Sequence, residues 1–226
     1  MQPGRDLAGT VRPVDADAFL AELPRLFDDF PLSQVPRDRS LAHLLDDVEG
    51  LSAENNLAMI ALAARMLGGG EVYAEAGTFH GRTALAAVLG GGADTIAIDN
   101  FSFEGGERRY LERNLDRFGA AGRVRVLEGD TVEALERESL PPVGAFYYDA
   151  DHSAEATFAA LQAARPHLAP EALMILDNAE WPAVIEGRDR FLTANPAASL
   201  ALVIAGSDGG QPWWWDGVAV IVWRPS

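Results

Sequence analysis

Six acidic residues stand where a short apolar run gives way to a loop. They are Glu75, Asp99, Asp130, Asp149, Asp151 and Asp177. A carboxylate at a strand end can accept protons from hydroxyl or amine groups of a ligand. Asp99 follows the run Ile96-Ala97-Ile98 about 20 residues after a glycine loop, the separation at which an acid meets both hydroxyls of a ribose. The loop itself, Gly77-Thr78-Phe79-His80-Gly81, lies between an apolar run and a helix start, so its backbone N–H groups can approach a ligand closely. Asp149 and Asp177 close two successive runs. Neighbouring strands lie about 4.8 Å apart, so these two carboxylates and the Asn178 amide would form an all-oxygen set. Such a set suits Mg²⁺, Ca²⁺ or Mn²⁺ rather than zinc.

Plainer roles exist for the same residues. Asp130 and Asp151 suit helix N-caps, the latter for a helix from Ser153, and Asn178 could cap a helix near Trp181. Asp99 could be a solvated turn acid and His152 an exposed residue at a helix start. His80 is either a ligand contact or packed in its loop, while His43 and His167 show no partner pattern.

The elements that would position these groups alternate. Strands are expected at 72–76, 95–99, 123–127, 144–149, 172–177, 199–205 and 217–223. Helices are expected at 82–89, 106–118, 131–138, 153–167 and 181–193. The charges of 107–117 read as one solvated helix face. This order implies an α/β fold with a doubly wound, Rossmann-like, seven-stranded sheet. The last two strands lack a helix between them and should form an antiparallel hairpin. Trp213-Trp214-Trp215 fall in its loop, on the ligand side. They suit an aromatic wall for an acceptor, with Asp151 and Trp181 beside it, or else a hydrophobic cluster or subunit interface.

Ahead of this unit, residues 1–14 read as a loose arm and 15–30 as helix interrupted by Pro24. A short helix follows at 41–48. A longer one runs to Leu67, capped by Ser52 and ended by Gly68-Gly69-Gly70. The division is residues 1–50 as a helical arm or lid and 51–226 as the main domain.

The chain has 226 residues, a formal net charge of −16, no lysine and no cysteine. Thiolate catalysis and cysteine-ligated zinc are excluded. The acidity argues against non-specific nucleic-acid binding. No run reaches the roughly 20 apolar residues of a membrane helix, and no signal-like apolar run follows the N-terminus. The expectation is a soluble cytoplasmic protein acting on a small molecule, with no nucleic-acid or membrane partner and with homo-oligomerisation left open.

Glu75-x-Gly77-x-x-x-Gly81, the acids at successive strand ends and the terminal hairpin resemble the class I S-adenosylmethionine-dependent methyltransferases. Asp149-x-Asp151-His152 followed by Leu176-Asp177-Asn178 resembles their metal-dependent small-molecule O-methyltransferases. That branch includes the catechol, caffeoyl-coenzyme-A and macrolide-sugar enzymes. The resemblance implies S-adenosylmethionine as cofactor, held by Glu75, Gly77, Thr78, Phe79, His80, Gly81, Thr83, Asp99, Asn100, Asp130, Thr131 and Asp149, with Asp130 on the adenine amino group. It implies Mg²⁺ or a similar ion on Asp149, Asp177 and Asn178. It also implies a base three residues after Asp149. Catechol-type enzymes have lysine there, this chain has His152, and a sugar-methylating branch uses histidine. The expected activity is methylation of a sugar or phenolic hydroxyl, as in natural-product tailoring. The rival readings are a metal-independent N-methyltransferase or another enzyme of the same fold, a non-catalytic cofactor-binding protein, and a nicotinamide oxidoreductase. The last lacks its G-x-G-x-x-G.

Overall fold

The computed structural model describes residues 13–225. Seven strands form one sheet: β1 (Val72–Ala76), β2 (Thr95–Asp99), β3 (Val124–Glu128), β4 (Val143–Tyr148), β5 (Leu168–Asp177), β6 (Ala198–Ile204) and β7 (Val218–Trp223). Their order across the sheet is β3-β2-β1-β4-β5-β7-β6. The first five pair in parallel, and β7 runs antiparallel to both β5 and β6. The doubly wound sheet with its terminal hairpin is therefore present as expected. Each expected strand is found within one or two residues except that β5 begins at Leu168, four residues early, because its first half continues the Arg165–His167 turn.

Burial on both faces explains the apolar composition of the strands. Along the central strands alternate residues serve different cores. Tyr73, Ala97, Tyr147 and Ile175 face one, while Ala74, Ile98, Phe146 and Met174 face the other. The first core is covered by α1 (Ala16–Glu22), α2 (His43–Asp47), α3 (Glu54–Arg65), α4 (Arg82–Leu85) and α5 (Arg108–Arg117). The second is covered by α6 (Thr131–Arg137), α7 (Ala154–Ala164) and α8 (Pro182–Ala194).

The helix expected over 82–89 changes form midway. After α4 the chain widens into a π-helical segment, Ala86–Gly91. A side chain at Gly91 would put its Cβ 2.2 Å from Ala64 Cβ, so the glycine lets this segment lie against α3. Gly90 and Gly91 thus belong to the helix, which runs two residues past the expected end.

The expected loose arm lies outside the described residues except for Pro13 and Val14. Val14 is fully buried, and its N–H donates to Glu71 Oε2 at 3.0 Å. Phe19, Leu23 and Leu44 are also fully buried in the first core. Each such side chain stabilises by about 1.5–3 kcal/mol through burial, so α1 and α2 are fastened to the sheet. α1 gives way at Leu23 to a 3₁₀ turn carrying Pro24, the expected interruption. Ser52 does not cap α3. Ala53 holds the cap position without a side-chain bond, and the Ser52 carbonyl instead accepts from Arg82.

Candidate active site

The strand order reverses between β1 and β4, and a parallel sheet opens a crevice there. At that point Gly77 has φ +88, and a Cβ on it would sit 1.7 Å from the Asp149 carbonyl oxygen. Only glycine lets the end of β1 pass so close to β4. A cavity of about 670 Å³ opens beyond these strand ends.

Gly77, Thr78, Phe79, Thr83, Asp99, Asn100, Asp130, Thr131, Asp149, Asp151, His152 and Trp181 all line the cavity. Asp99 is held rigidly: its Oδ2 accepts the Phe79 N–H at 2.7 Å and its Oδ1 the Phe101 N–H at 2.6 Å. A carboxylate accepts about four hydrogen bonds, so Asp99 retains capacity for hydroxyl groups. Phe79, at the middle of the loop, adopts a positive φ, +49. Its ring stacks on His80 at 3.9 Å, which helps to hold that conformation. Asp130 is the N-cap of α6, accepting from Val132 and Glu133 through Oδ1. It plays the capping role and lines the cavity as well.

Other expected site residues lie behind the wall. Glu75 is fully buried. It accepts from Tyr73 OH at 2.8 Å and from the Thr78 hydroxyl, so it braces the loop. Burial pushes its carboxyl up to about 7, against the hydrogen bonds from Thr78, Tyr73 and Thr83. His80 is also buried and packed: its Nε2 meets the Gly105 carbonyl at 2.9 Å. Gly81 has φ +86, and a Cβ there would meet Leu111 at 2.5 Å.

The Asp149 and Asp177 carboxyls cap the adjacent strands β4 and β5. Burial raises the Asp149 carboxyl, with His152 opposing the shift. Burial raises the Asp177 carboxyl further, and the charge of Asp149 adds to it. Asp177 Oδ2 is buried with no hydrogen-bond partner, while Asn56 Nδ2 lies 3.5 Å from Oδ1. Asn178 adopts φ +53, and its Nδ2 donates to Asp216 Oδ2 at 3.3 Å. The buried Asp177 carboxyl with its orphaned oxygen, the partly exposed Asp149 carboxyl and the Asn178 amide oxygen are donor types that suit a hard divalent cation, although of the three only Asp149 lines the cavity. Among the described residues no group of three or more His, Cys, Asp or Glu is arranged to hold one. Solvent or ligand oxygens would have to complete the shell.

His152 Nε2 lies 3.4 Å from Asp149 Oδ1, and its ring centroid is 5.1 Å from that of Trp181. Neither Asp151 nor Asn178 is a helix cap. Ser153 caps α7, Asp151 accepts the Ser153 N–H, and Trp181 precedes α8 without a side-chain bond.

Trp213, Trp214 and Trp215 do not line the cavity. Trp214 is fully buried against Phe27 and Phe30, and both Trp213 and Trp214 donate their indole N–H to the Pro31 carbonyl. The aromatic wall expected there is a hydrophobic cluster that anchors the N-terminal segment. Trp181, Phe103 and Leu51 line the cavity instead.

Three features escaped the sequence reading. Arg82 clamps the segment before α3 through the carbonyls of Val48, Ser52 and Leu45. A cation at a helix N-terminus opposes the helix dipole, and that misfit was a readable sign of another task. Asn56, like its neighbour Asn55, sits fully buried in the first turn of α3, a second such sign. Asp216 gave none, because its position depends on the fold of the hairpin.

Residues 74–179 match the profile of a methyltransferase domain family. The same order of elements is seen in solved structures. An O-methyltransferase of Bacillus cereus in complex with S-adenosylhomocysteine superposes with a TM-score of 0.62 at 20% identity, over 84% of this chain and 93% of that one. TomG of Streptomyces achromogenes, an O-methyltransferase involved in tomaymycin synthesis, solved with S-adenosylmethionine, gives 0.63 at 18% identity, over 84% and 92%. The Podospora anserina methyltransferase PaMTH1, bound to S-adenosylhomocysteine, gives 0.61 at 16% identity, over 96% and 100%. At such identities the likeness is one of fold. None of the curated proteins matches the chain. The fold of this chain is thus a Rossmann-like methyltransferase fold, and the stretch that matches the methyltransferase domain profile spans β1 to the end of β5. No helix among the described residues is long and apolar enough to cross a membrane.

Proposed function

We propose that this protein transfers a methyl group from S-adenosylmethionine to a hydroxyl of a small molecule, with a divalent cation assisting. The observation that carries the reading is the convergence of Asp99, Asp130, Asp149 and His152 on one cavity at the strand-order reversal. The cofactor supplies an electrophilic methyl on a sulfonium. Asp99 holds the ribose hydroxyls, and the Asp130 oxygen not used in capping takes the adenine amino group. Gly77 leaves room for the backbone to approach. The chain's main contribution is orientation of the acceptor oxygen in line with the methyl.

Asp149, Asp177 and Asn178 would hold the cation, which would supply Lewis acidity that lowers the pKa of an acceptor hydroxyl. His152 takes the hydroxyl proton on Nε2, a nitrogen with no hydrogen-bond partner among the described residues. Histidine suits this task because its pKa lies near neutrality. Asp149 Oδ1, 3.4 Å from that nitrogen, would stabilise the imidazolium once the proton has been taken. That TomG and the Bacillus cereus protein are O-methyltransferases supports the transfer to oxygen.

The test is a screen of sugar and phenolic hydroxyl compounds with Mg²⁺, read by release of S-adenosylhomocysteine. The expected result is turnover that excess chelator abolishes. Turnover unaffected by chelator would remove the cation. Methylation confined to amines would favour an N-methyltransferase.

A further inference from the structure

Asp177 and Asn178 stand side by side at the end of β5, and a different element meets each of their side chains. Asn56, in the first turn of α3, brings its Nδ2 to 3.5 Å from Asp177 Oδ1. Asn178 donates from its Nδ2 to Asp216 Oδ2 at 3.3 Å. Both Asn56 and Asp216 lie outside the stretch 74–179 that matches the methyltransferase domain profile.

The place of Asp216 is built by the turn that carries it. Trp214 is fully buried in the first core, and Trp215 then turns with φ +56. A Cβ on Gly206 would sit 2.0 Å from the Gly217 nitrogen, so glycine lets the two arms of the hairpin close up there. The turn is fastened to the chain after β5. The Ala179 N–H donates to the Gly217 carbonyl at 3.2 Å and the Glu180 N–H to the Asp216 carbonyl at 3.3 Å. Burial is the main cause that raises the Asp149 and Asp177 carboxyls, and the charge of Asp216 is a further cause at each.

A carboxylate can only accept hydrogen bonds, whereas a side-chain amide has a donor end and an acceptor end. Asp216 therefore takes the donor end of Asn178 and leaves its oxygen. Asn56 offers its own donor end to one oxygen of Asp177 and leaves the other, Oδ2, which is buried with no partner. Each of these two proposed cation ligands thus keeps one oxygen after its neighbour is served. Groups behind the ligands of a metal fix which atom of each ligand is presented.

We propose that Asp216 and Asn56 are positioning residues of the cation site. Asp216 fixes the Asn178 amide so that its oxygen is left to the cation, and Asn56 holds one Asp177 oxygen so that the other is. The N-terminal helices and the C-terminal hairpin thereby brace ligands that come from the ends of β4 and β5. The proposal rests on the cation reading above.

The test measures Mn²⁺ binding to the full chain, by calorimetry and by the electron paramagnetic resonance signal of the free ion. Affinity for S-adenosylhomocysteine and the urea midpoint report on the fold. Asp216→Ala should weaken Mn²⁺ binding by about tenfold or more, the usual effect of losing a group behind a metal ligand, with S-adenosylhomocysteine bound as before. In an Asn178→Ala background there is no amide to fix, so the same change should cost less than about twofold. A charge acting on the ion directly would cost the same in both backgrounds. Asp216→Asn keeps the shape but can serve either end of the Asn178 amide, so it should also weaken binding. Asn56→Leu should weaken it by about tenfold through Asp177. Mn²⁺ affinity unchanged in Asp216→Asn and Asp216→Ala, or an equal loss in both backgrounds, overturns the role of Asp216. Unchanged affinity in Asn56→Leu overturns that of Asn56. Failure of the wild-type chain to bind Mn²⁺ would overturn the cation reading itself.

Discussion

His152 Nε2 lies 3.4 Å from Asp149 Oδ1, three residues back along the chain at the end of β4. The pair joins the proposed base to a proposed cation ligand, and both line the cavity. His152→Ala should lower turnover by about 10²–10⁴, the usual contribution of a general base. Cofactor affinity should hold, because the cofactor contacts lie mainly on other strands. Stopped assays across pH check this. An unchanged rate along the acid limb would reduce His152 to a residue at a helix start.

Gly77→Ala should disrupt the site most severely for its size. The added Cβ would meet the Asp149 carbonyl at 1.7 Å, and φ +88 disfavours any side chain. Strain of this kind costs about 1–3 kcal/mol before any clash is counted. Urea denaturation and S-adenosylhomocysteine titration should both show a loss. A variant with wild-type stability and affinity would mean that β1 and β4 do not approach as described.

Arg82→Met tests the clamp over the segment before α3. It removes three hydrogen bonds to the carbonyls of Val48, Ser52 and Leu45. Hydrogen bonds to charged groups contribute about 1.5–3 kcal/mol, so a loss of that size is expected in urea. Amide exchange should rise over residues 45–52, which border the cavity. Unchanged exchange there would show that the hydrophobic contacts of Leu44 and Val48 hold the segment unaided.

Glu75 sets a pH dependence with a definite sign. Its carboxyl is raised from 4.5 to about 7 by burial. A carboxyl raised on folding adds stability that is fully present below about 4.5 and lost as pH rises through about 7. The size is of the order of 3 kcal/mol. Glu75→Gln should therefore flatten the stability profile between pH 5 and 8, read as urea midpoints. An equal slope in wild type and variant would mean that Glu75 is ionised throughout.

The sequence carried the sheet and much of the cavity wall, for physical reasons visible at particular residues. β1, β4 and β5 are buried on both faces, so their apolar runs are unmistakable, and their ends at Ala76, Tyr148 and Asp177 place Gly77, Asp149 and Asn178. Helix details were less legible. Ser52 looks like an N-cap by type, yet tertiary contact with Arg82 claims its carbonyl. Trp213 and Trp214 read equally as a binding wall or as packing. Phe27, Phe30 and Pro31, some 180 residues earlier in the chain, decide for packing. The pairing of Asn56 with Asp177 spans 121 residues, and no local pattern announces a contact of that range.

The central claim is that the cavity holds S-adenosylmethionine through Asp99. Calorimetric titration of wild type and Asp99→Ala with S-adenosylmethionine, and of wild type with NAD, tests it most directly. The account predicts one binding site for S-adenosylmethionine, none for NAD, and a loss of about 1–3 kcal/mol in the variant. Binding of NAD with no binding of S-adenosylmethionine, or an Asp99→Ala affinity equal to wild type, would contradict it.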